Sequence, residues 1–253
     1  MFPAPGRSSW RRPSIGTSEG ATSRKDCPSP CSNSRRTPVH ALSTSQGRSP
    51  SDIPKLNLQA AIERRRSIRS YLREPITLEE LSFLLWCTQG VQRIHGNQAT
   101  FRTVPSAGAR HAFETYLLIN DGEGLEPGLY RFLALTHRLQ QVDMDPAVAS
   151  RITSACFDQQ FILRGGVVFI WTAVPYRMTW RYGERGYRDL HLDAGHVCQN
   201  LYLAAEATGC GTCAIAAFDD DDMNAILGIN GYDQFVIYLA VVGKKDEMVP
   251  LTG

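Results

Sequence analysis

The sequence predicts an α+β fold, on three observations. Runs of strand length rich in β-branched and aromatic residues occur at Glu114–Asn120, Val167–Ala173 and Gln234–Val242. Segments with helical spacing of apolar residues lie between them, the longest from about Leu190 to Thr208. The two kinds of segment mix without a regular βαβ alternation, and no internal repeat is present.

Residues 1–52 are rich in Ser, Arg, Pro, Thr and Gly and carry almost no aliphatic periodicity. Such a segment buries too little surface to offset chain entropy, so it is expected to be a disordered tail ahead of one domain, residues 53–253. It shares an Arg- and Ser-rich, acid-poor composition with transit peptides but shows no amphipathic helix. Leu56, Ala60 and Ile62 predict a helix over about 55–67. After Pro75, Thr77 and Glu80 form a T-x-x-E capping box for a second helix with Leu78, Leu81, Leu84 and Leu85 facing the core.

Past a Gly-containing stretch over 90–109 comes the strand at Glu114–Asn120. Next are a turn (DGEGLEPG) and a hairpin of Gly128–Leu133 with His137–Val142. Residues 146–163 read as weakly helical, Val167–Ala173 as a central strand and Arg177–Arg188 as an Arg/Tyr-rich loop. The long helix that follows carries Leu192, Ala194, Val197, Leu201, Leu203, Ala204 and Ala207, and Gly209 ends it. So little polar face predicts burial, in the core or across a subunit interface. Asp219 opens a short helix, and Gln234–Val242 is the last strand.

Charge narrows the function. The chain carries +2, but residues 1–51 hold eight Lys/Arg against two Asp/Glu, so the remaining body carries −4. A mildly acidic body argues against nucleic acid as the main partner. The longest apolar run, Gly165–Val174, is far short of the ~20 residues of a membrane span. Seven cysteines, an odd set in a chain of this size, point to a reducing compartment, the cytoplasm. Cys210 and Cys213 form a lone C-x-x-C with no second pair to complete a zinc site, so packed thiols and no metal are expected. His191 and His196 are five apart and do not share a helix face as metal ligands would. Gly122 and Gly124 lack the third glycine and the helix of a dinucleotide loop. Nucleophile-elbow, zincin and P-loop signatures are absent.

Four stretches remain. Arg65-Arg66-Ser67-Ile68-Arg69 offers guanidinium forks and a hydroxyl suited to one phosphate, or a solvated helix end. Pro105-Ser-Ala-Gly-Ala-Arg-His111 is a small-residue run that lets backbone approach a flat ligand, or an ordinary loop. Gly209–Ala217 (GCGTCAIAA) could face a ring edge, or pack tightly against a helix. Gly243-Lys244-Lys245 is a second cation source, or a solvated strand end.

Together these stretches resemble the FMN-dependent nitroreductase family, and most closely its branch named for peptide thiazole/oxazole dehydrogenases. The matching pieces are RRSIRSY, PSAGARHAFETYLL, GLYRF, the block from RYGERGYRDLHLDAGHVCQN to DDDDMNAILGI, and YLAVVGKK, in order over residues 55–245. The resemblance implies a central, mainly antiparallel sheet flanked by helices, with the long helix at a homodimer interface that holds FMN. It implies that Arg65, Ser67 and Arg69 hold the phosphate and ribityl chain, with Arg66 beside them and Lys244 closing the site. Ser106, Ala107 and Gly108 would come from the partner subunit to line the ring. Ala216 and Ala217 would offer backbone to the flavin N5 edge, and Gln199 would sit near the ring.

The flavin then carries the redox step, so the protein needs no nucleophile of its own. Members acting on peptide azolines carry Lys-Tyr before the long helix, where this chain has Arg181-Tyr182. Arginine stays protonated at ordinary pH and is a poor general base. Tyr182, Arg181 and Tyr187 are the candidates for substrate contact. The expected activity is hydride transfer through FMN, from NADH or NADPH or from a substrate being dehydrogenated, with a small molecule or a peptide as substrate. The alternatives are an azoline peptide dehydrogenase and a non-catalytic flavin-fold scaffold.

Overall fold

The structure is a computed structural model that describes residues 39–42, 53–96 and 99–245, all within one compact unit spanning Thr37–Gly253. Its centre is a seven-stranded, wholly antiparallel sheet in the order β1-β6-β5-β4-β7-β9-β8. The strands are β1 (Val39–Ala41), β4 (Phe113–Ile119), β5 (Gly128–Leu133), β6 (Arg138–Asp143), β7 (Val167–Ala173), β8 (Cys210–Ile215) and β9 (Phe235–Lys244). A separate hairpin joins β2 (Val91–His95) to β3 (Ala99–Arg102).

Every side chain of β7 is buried. Alternation sends Val167, Phe169, Trp171 and Ala173 into one core and Val168 and Ile170 into the other. The first core lies under α2 (Leu78–Gln89) and α5 (Gly186–Ala207), and the second under α3 (Val148–Ala155) and α6 (Asp220–Leu227). The molecule is therefore three layers, helices on both faces of an antiparallel sheet.

The predicted ends hold where a cap sets them. The capping box is complete: Glu80 N–H donates to Thr77 Oγ1 at 3.2 Å and Thr77 N–H to Glu80 Oε2 at 3.0 Å. Asp219 caps α6 by accepting from Asp222 N–H at 2.9 Å. Cys210 and Cys213, three apart on β8, point into opposite cores and cannot share a metal or a disulfide. Cys87, Cys156 and Cys198 are free as well, and no group among the described residues could hold a metal ion. No described helix is long and apolar enough to cross a membrane.

Two expectations need correction. The first helix, α1, spans only Leu58–Arg64, capped by Asn57, and the arginine stretch beyond it is extended. Residues 177–188 are not a loop: α4 (Tyr176–Tyr182) and a 3₁₀ turn lead into α5 at Gly186, four residues before the expected start. Only Met178 of α4 is buried, so the helix carries no apolar stripe for periodicity to reveal. The stretch 90–109 contains the β2–β3 hairpin. The tail expected over 1–52 lies outside the described residues except at 39–42, where β1 satisfies the edge of β6 and Leu42 enters the core.

The helix expected to be apolar all round is half covered within this chain. Leu190, Ala194, Val197 and Leu201 are buried, whereas Leu192, Gly195, His196 and Gln199 form an exposed stripe.

Two histidines are held neutral by the fold. His137 bonds Ser82 Oγ at 2.9 Å and packs edge-on to Phe132, and burial lowers its pKa from 6.5 to about 4. Burial, followed by the charge of Arg102, lowers His111 to about 4 as well. The unfolded chain takes up these protons near pH 6.5 and the folded chain only near 4, so stability is full above 6.5 and falls as pH drops through that window. Urea midpoints compared at pH 7 and pH 5 are expected to fall more for the parent protein than for His137→Asn. An equal fall in both would contradict the assignment.

Candidate functional site

The arginine stretch leaves α1 and runs across the far edge of the sheet. Ile68 N–H donates to Thr212 O at 3.0 Å, Leu72 N–H donates to Lys244 O at 2.9 Å, and Ser67 bridges Thr212 in parallel. Two glycines make this approach possible. A Cβ on Gly211 would lie 2.6 Å from Ile68 Cβ, and one on Gly243 would lie 2.7 Å from the Tyr71 ring. The small residues of GCGTC and VVGKK thus serve, at these two positions, to seat Ile68 and Tyr71. Tyr71 completes the seat by donating its hydroxyl to Ile68 O at 2.5 Å.

Extended backbone puts residues 65, 67 and 69 on one face. Arg65 lies over the Tyr202 ring at 5.3 Å, and Arg69 over the Phe161 ring at 5.9 Å. Between them Ser67 Oγ is 3.0 Å from Tyr202 Oη, which also accepts from Ala214 N–H at 2.9 Å. Neither arginine has a carboxylate partner among the described residues. The result is two ordered guanidinium groups flanking a hydroxyl, open to solvent, a donor set suited to a phosphate.

The other predicted cations are otherwise engaged. Arg66 folds back to donate to Glu63 O and Arg65 O, both at 2.8 Å, and closes the end of α1. Lys244 pairs with Glu80 of the capping box, and Lys245 with Glu206 at 2.5 Å.

A second cluster forms around Ser106–Gly108. His111 N–H donates to Ser106 Oγ at 2.9 Å, and Ala107 N–H donates to the Asp193 carboxylate at 3.2 Å. Asp193 also bonds the Ser106 side chain; burial raises its pKa, and these bonds oppose the rise. Gly108 takes the left-handed φ of 57°, and a Cβ there would stand 2.4 Å from Tyr182 Oη. Arg181 stacks on Tyr182, with its guanidinium 5.7 Å from the ring centre. Arg181, Tyr182 and the small-residue loop therefore meet, although some 70 residues separate them. Tyr187 does not join them: it is 48% exposed on the first turn of α5, with no described bond or ring contact to Gly108 or Tyr182.

Helix α5 carries an anchor for each cluster, Asp193 for the loop and Tyr202 for the arginine face. Nine residues of helix separate the anchors, about 13 Å. Gln199 lies between them on the exposed stripe. Ala216 and Ala217 are exposed just past β8, and Gln159 Nε2 holds Ala217 O at 3.0 Å. Sequence reasoning missed Tyr202, Asp193 and Gln159. For the first two the available signal was a polar group beside the buried positions of the helical pattern, Asp193 next to Ala194 and Tyr202 next to Leu201.

Residues 62–244 match the nitroreductase family model. The chain belongs to the nitroreductase family, whose members are oxidoreductases. It is 38% identical over 196 residues to MJ1384 of Methanocaldococcus jannaschii, a protein assigned by name to the nitroreductases, covering 78% of this chain and 95% of that one. It is 28% identical over 153 residues to the trifolitoxin-processing protein TfxB of Rhizobium leguminosarum bv. trifolii, covering 57% of this chain and 40% of TfxB. Among solved structures, one assigned to the nitroreductases from Anabaena variabilis superposes with a TM-score of 0.68 at 28% identity. The match covers 83% of this chain and 42% of that one.

Tyr202→Phe removes the hydroxyl shared by Ser67 and Ala214 N–H. The expected cost is about 1–3 kcal/mol in urea denaturation, the range for leaving a buried donor unpaired. Unchanged stability would show that the bridge does not hold the arginine face.

Proposed function

We propose that the chain is an FMN-dependent oxidoreductase that passes hydride through the flavin N5. The observation that carries this reading is the arginine face, where Arg65 and Arg69 are ordered on aromatic rings, flank Ser67 and have no carboxylate partner among the described residues. Its shape fits the phosphate end of FMN, and Arg65, Ser67 and Arg69 would hold that end. Arg66, bonded to backbone carbonyls, would raise the local positive potential without touching the phosphate, whereas the charge of Lys244 is largely answered by Glu80.

FMN supplies the two-electron step when bound, so the protein's tasks are holding, orienting and excluding water. The Ser106–Gly108 loop presents backbone with no side chain beyond Cβ at Ala107 and Gly108, which suits approach to a flat ring. Asp193 fixes that loop from below. Tyr182 Oη, above Gly108, is the hydroxyl placed to hold or pass a proton on the substrate side, and Arg181 adds a fixed cation there. Ala216 and Ala217 would offer backbone at the N5 edge, steadied by Gln159. The uncovered face of α5 between the two clusters supports a homodimer in which one copy gives the phosphate face and the other the loop. The exposed stripe with Leu192, Gly195 and Gln199 would be the shared helix surface. NADH or NADPH would be the electron donor for a reductase.

The likeness to TfxB supports a second reading, an azoline dehydrogenase acting on a peptide. Arg181 stands against it, since a permanently charged guanidinium does not take up the proton that such an oxidation releases. The substrate side would then depend on Tyr182 alone.

Arg65→Ala is expected to weaken FMN binding by about 1.5–3 kcal/mol, the loss of a charge-assisted hydrogen bond, read by quenching of flavin fluorescence. Unaltered affinity would refute the phosphate assignment. Steady-state turnover of a nitroaromatic or a quinone with NADH or NADPH distinguishes the two enzymes: turnover supports the reductase, and its absence in flavin-loaded protein favours the dehydrogenase.

A further inference from the structure

An open cleft of about 830 Å³ lies at the end of the sheet, between the β2–β3 hairpin, the turn after β5 and the start of α4. Four guanidinium groups line it, from Arg102, Arg110, Arg131 and Arg177, against one carboxylate, Glu114. Arg131 and Arg177 share that carboxylate, at 3.0 and 2.5 Å. They pull Glu114 below the usual carboxylate range against the opposing effect of burial, so it stays ionised. Nε of Arg131 is buried without a partner. His111, also in the lining, is neutral and adds no charge.

Arg102 and Arg110 are left with no carboxylate partner among the described residues. Arg102 is held in place from behind, by Gln89 Oε1 at 2.5 Å and Thr100 Oγ1 at 3.4 Å. Burial lowers its pKa to about 10, which leaves it charged at neutral pH in a poorly hydrated position. Arg110 is braced by Gly108 O at 2.9 Å and by the Trp180 ring, 5.3 Å from its guanidinium carbon. Ile94, Leu133 and Leu135 supply the apolar part of the wall. The volume falls in the range of small-molecule sites. A structural role alone accounts for Arg131 and Arg177 but leaves two braced cations with no ion-pair partner of their own among the described residues facing a cleft.

We propose that this cleft binds a small organic anion, its acidic head held by Arg102 and Arg110 and its apolar body laid on Ile94, Leu133 and Leu135. Guanidinium forks accept carboxylate and phosphate heads alike, so the shared chemistry is an anionic head on an apolar stem. The cleft shares no residue with the proposed flavin contacts, although Arg110 touches the loop at Gly108. The site stands or falls separately from FMN.

Titration calorimetry on the full-length protein tests this with 4-phenylbutyrate, 3-phenylpropyl phosphate and the neutral 4-phenylbutanamide. Either anion is expected to bind at least ~10-fold more tightly than the amide, and the tighter of the two identifies the head. Arg102→Gln is expected to weaken that binding ~10–100-fold, in line with charge-assisted hydrogen bonds, whereas Arg65→Ala leaves it unchanged. If Arg102→Gln does not fold, Thr136→Glu places a carboxylate at an exposed point of the lining, leaves Ile94, Leu133 and Leu135 in place, and is expected to weaken the anion but not the amide. Equal binding of acid and amide, no binding of either anion, or loss of binding in Arg65→Ala with none in the cleft variants would overturn the proposal.

Discussion

Burial of β7 on both faces is the constraint from which the rest of the architecture follows. An antiparallel strand is commonly covered on one side, with polar residues on the other. Here all seven side chains from Val167 to Ala173 are buried, so helices must lie on both faces of the sheet. α2 and α5 meet one requirement, α3 and α6 the other. Once α5 is laid on the sheet by Leu190, Ala194, Val197 and Leu201, its register fixes where Asp193 and Tyr202 point. Those two residues then fix the loop and the arginine face.

Cations in this protein divide by what holds them. Lys244, Lys245 and Arg66 are used inside the fold, at a capping box, a helix flank and a helix end. Arg65 and Arg69 rest on aromatic rings, which order a guanidinium without neutralising it. The cleft repeats this pattern with Arg110 on Trp180. A cation ordered by a ring or an amide keeps its charge for a ligand, and a cation ordered by a carboxylate largely does not. This distinction, more than the number of arginines, separates candidate sites from structural pairs.

Much of the fold was legible because its signals are local. The capping box at Thr77 and Glu80, the cap at Asp219, the Gly209 stop and the strands of the core follow from short-range rules, and the family resemblance rested on several such motifs in order. Elements without a periodic signal were hidden. α4 buries one residue, and the β2–β3 hairpin is exposed along most of its length. The candidate site was legible in its residue types and less so in its geometry. Arg65, Ser67 and Arg69 share one face because the stretch is extended and not a helix end, while Lys244 is turned to Glu80 and Tyr187 is apart from Tyr182. The stretch around Gly211 read as able to face a ring edge, and the structure seats Ile68 against Gly211 and Tyr71 against Gly243 instead. The arginine cleft was invisible in the sequence, because its four arginines come from β3, the loop before β4, β5 and α4.

The central claim is that one chain offers two half-sites, joined to their complements only across two copies. Subunit mixing tests it most directly. Arg65→Ala spoils the phosphate face, and Gly108→Val spoils the loop, since a side chain there strikes Tyr182. Each variant alone should bind FMN poorly. Unfolded together and refolded as a mixture, the mixed dimer contains one site with both defects and one with neither, so the account predicts recovery of tight FMN binding in that fraction. No recovery, with both variants folded and mixed dimers present, would show that both half-sites act within a single chain and would contradict it.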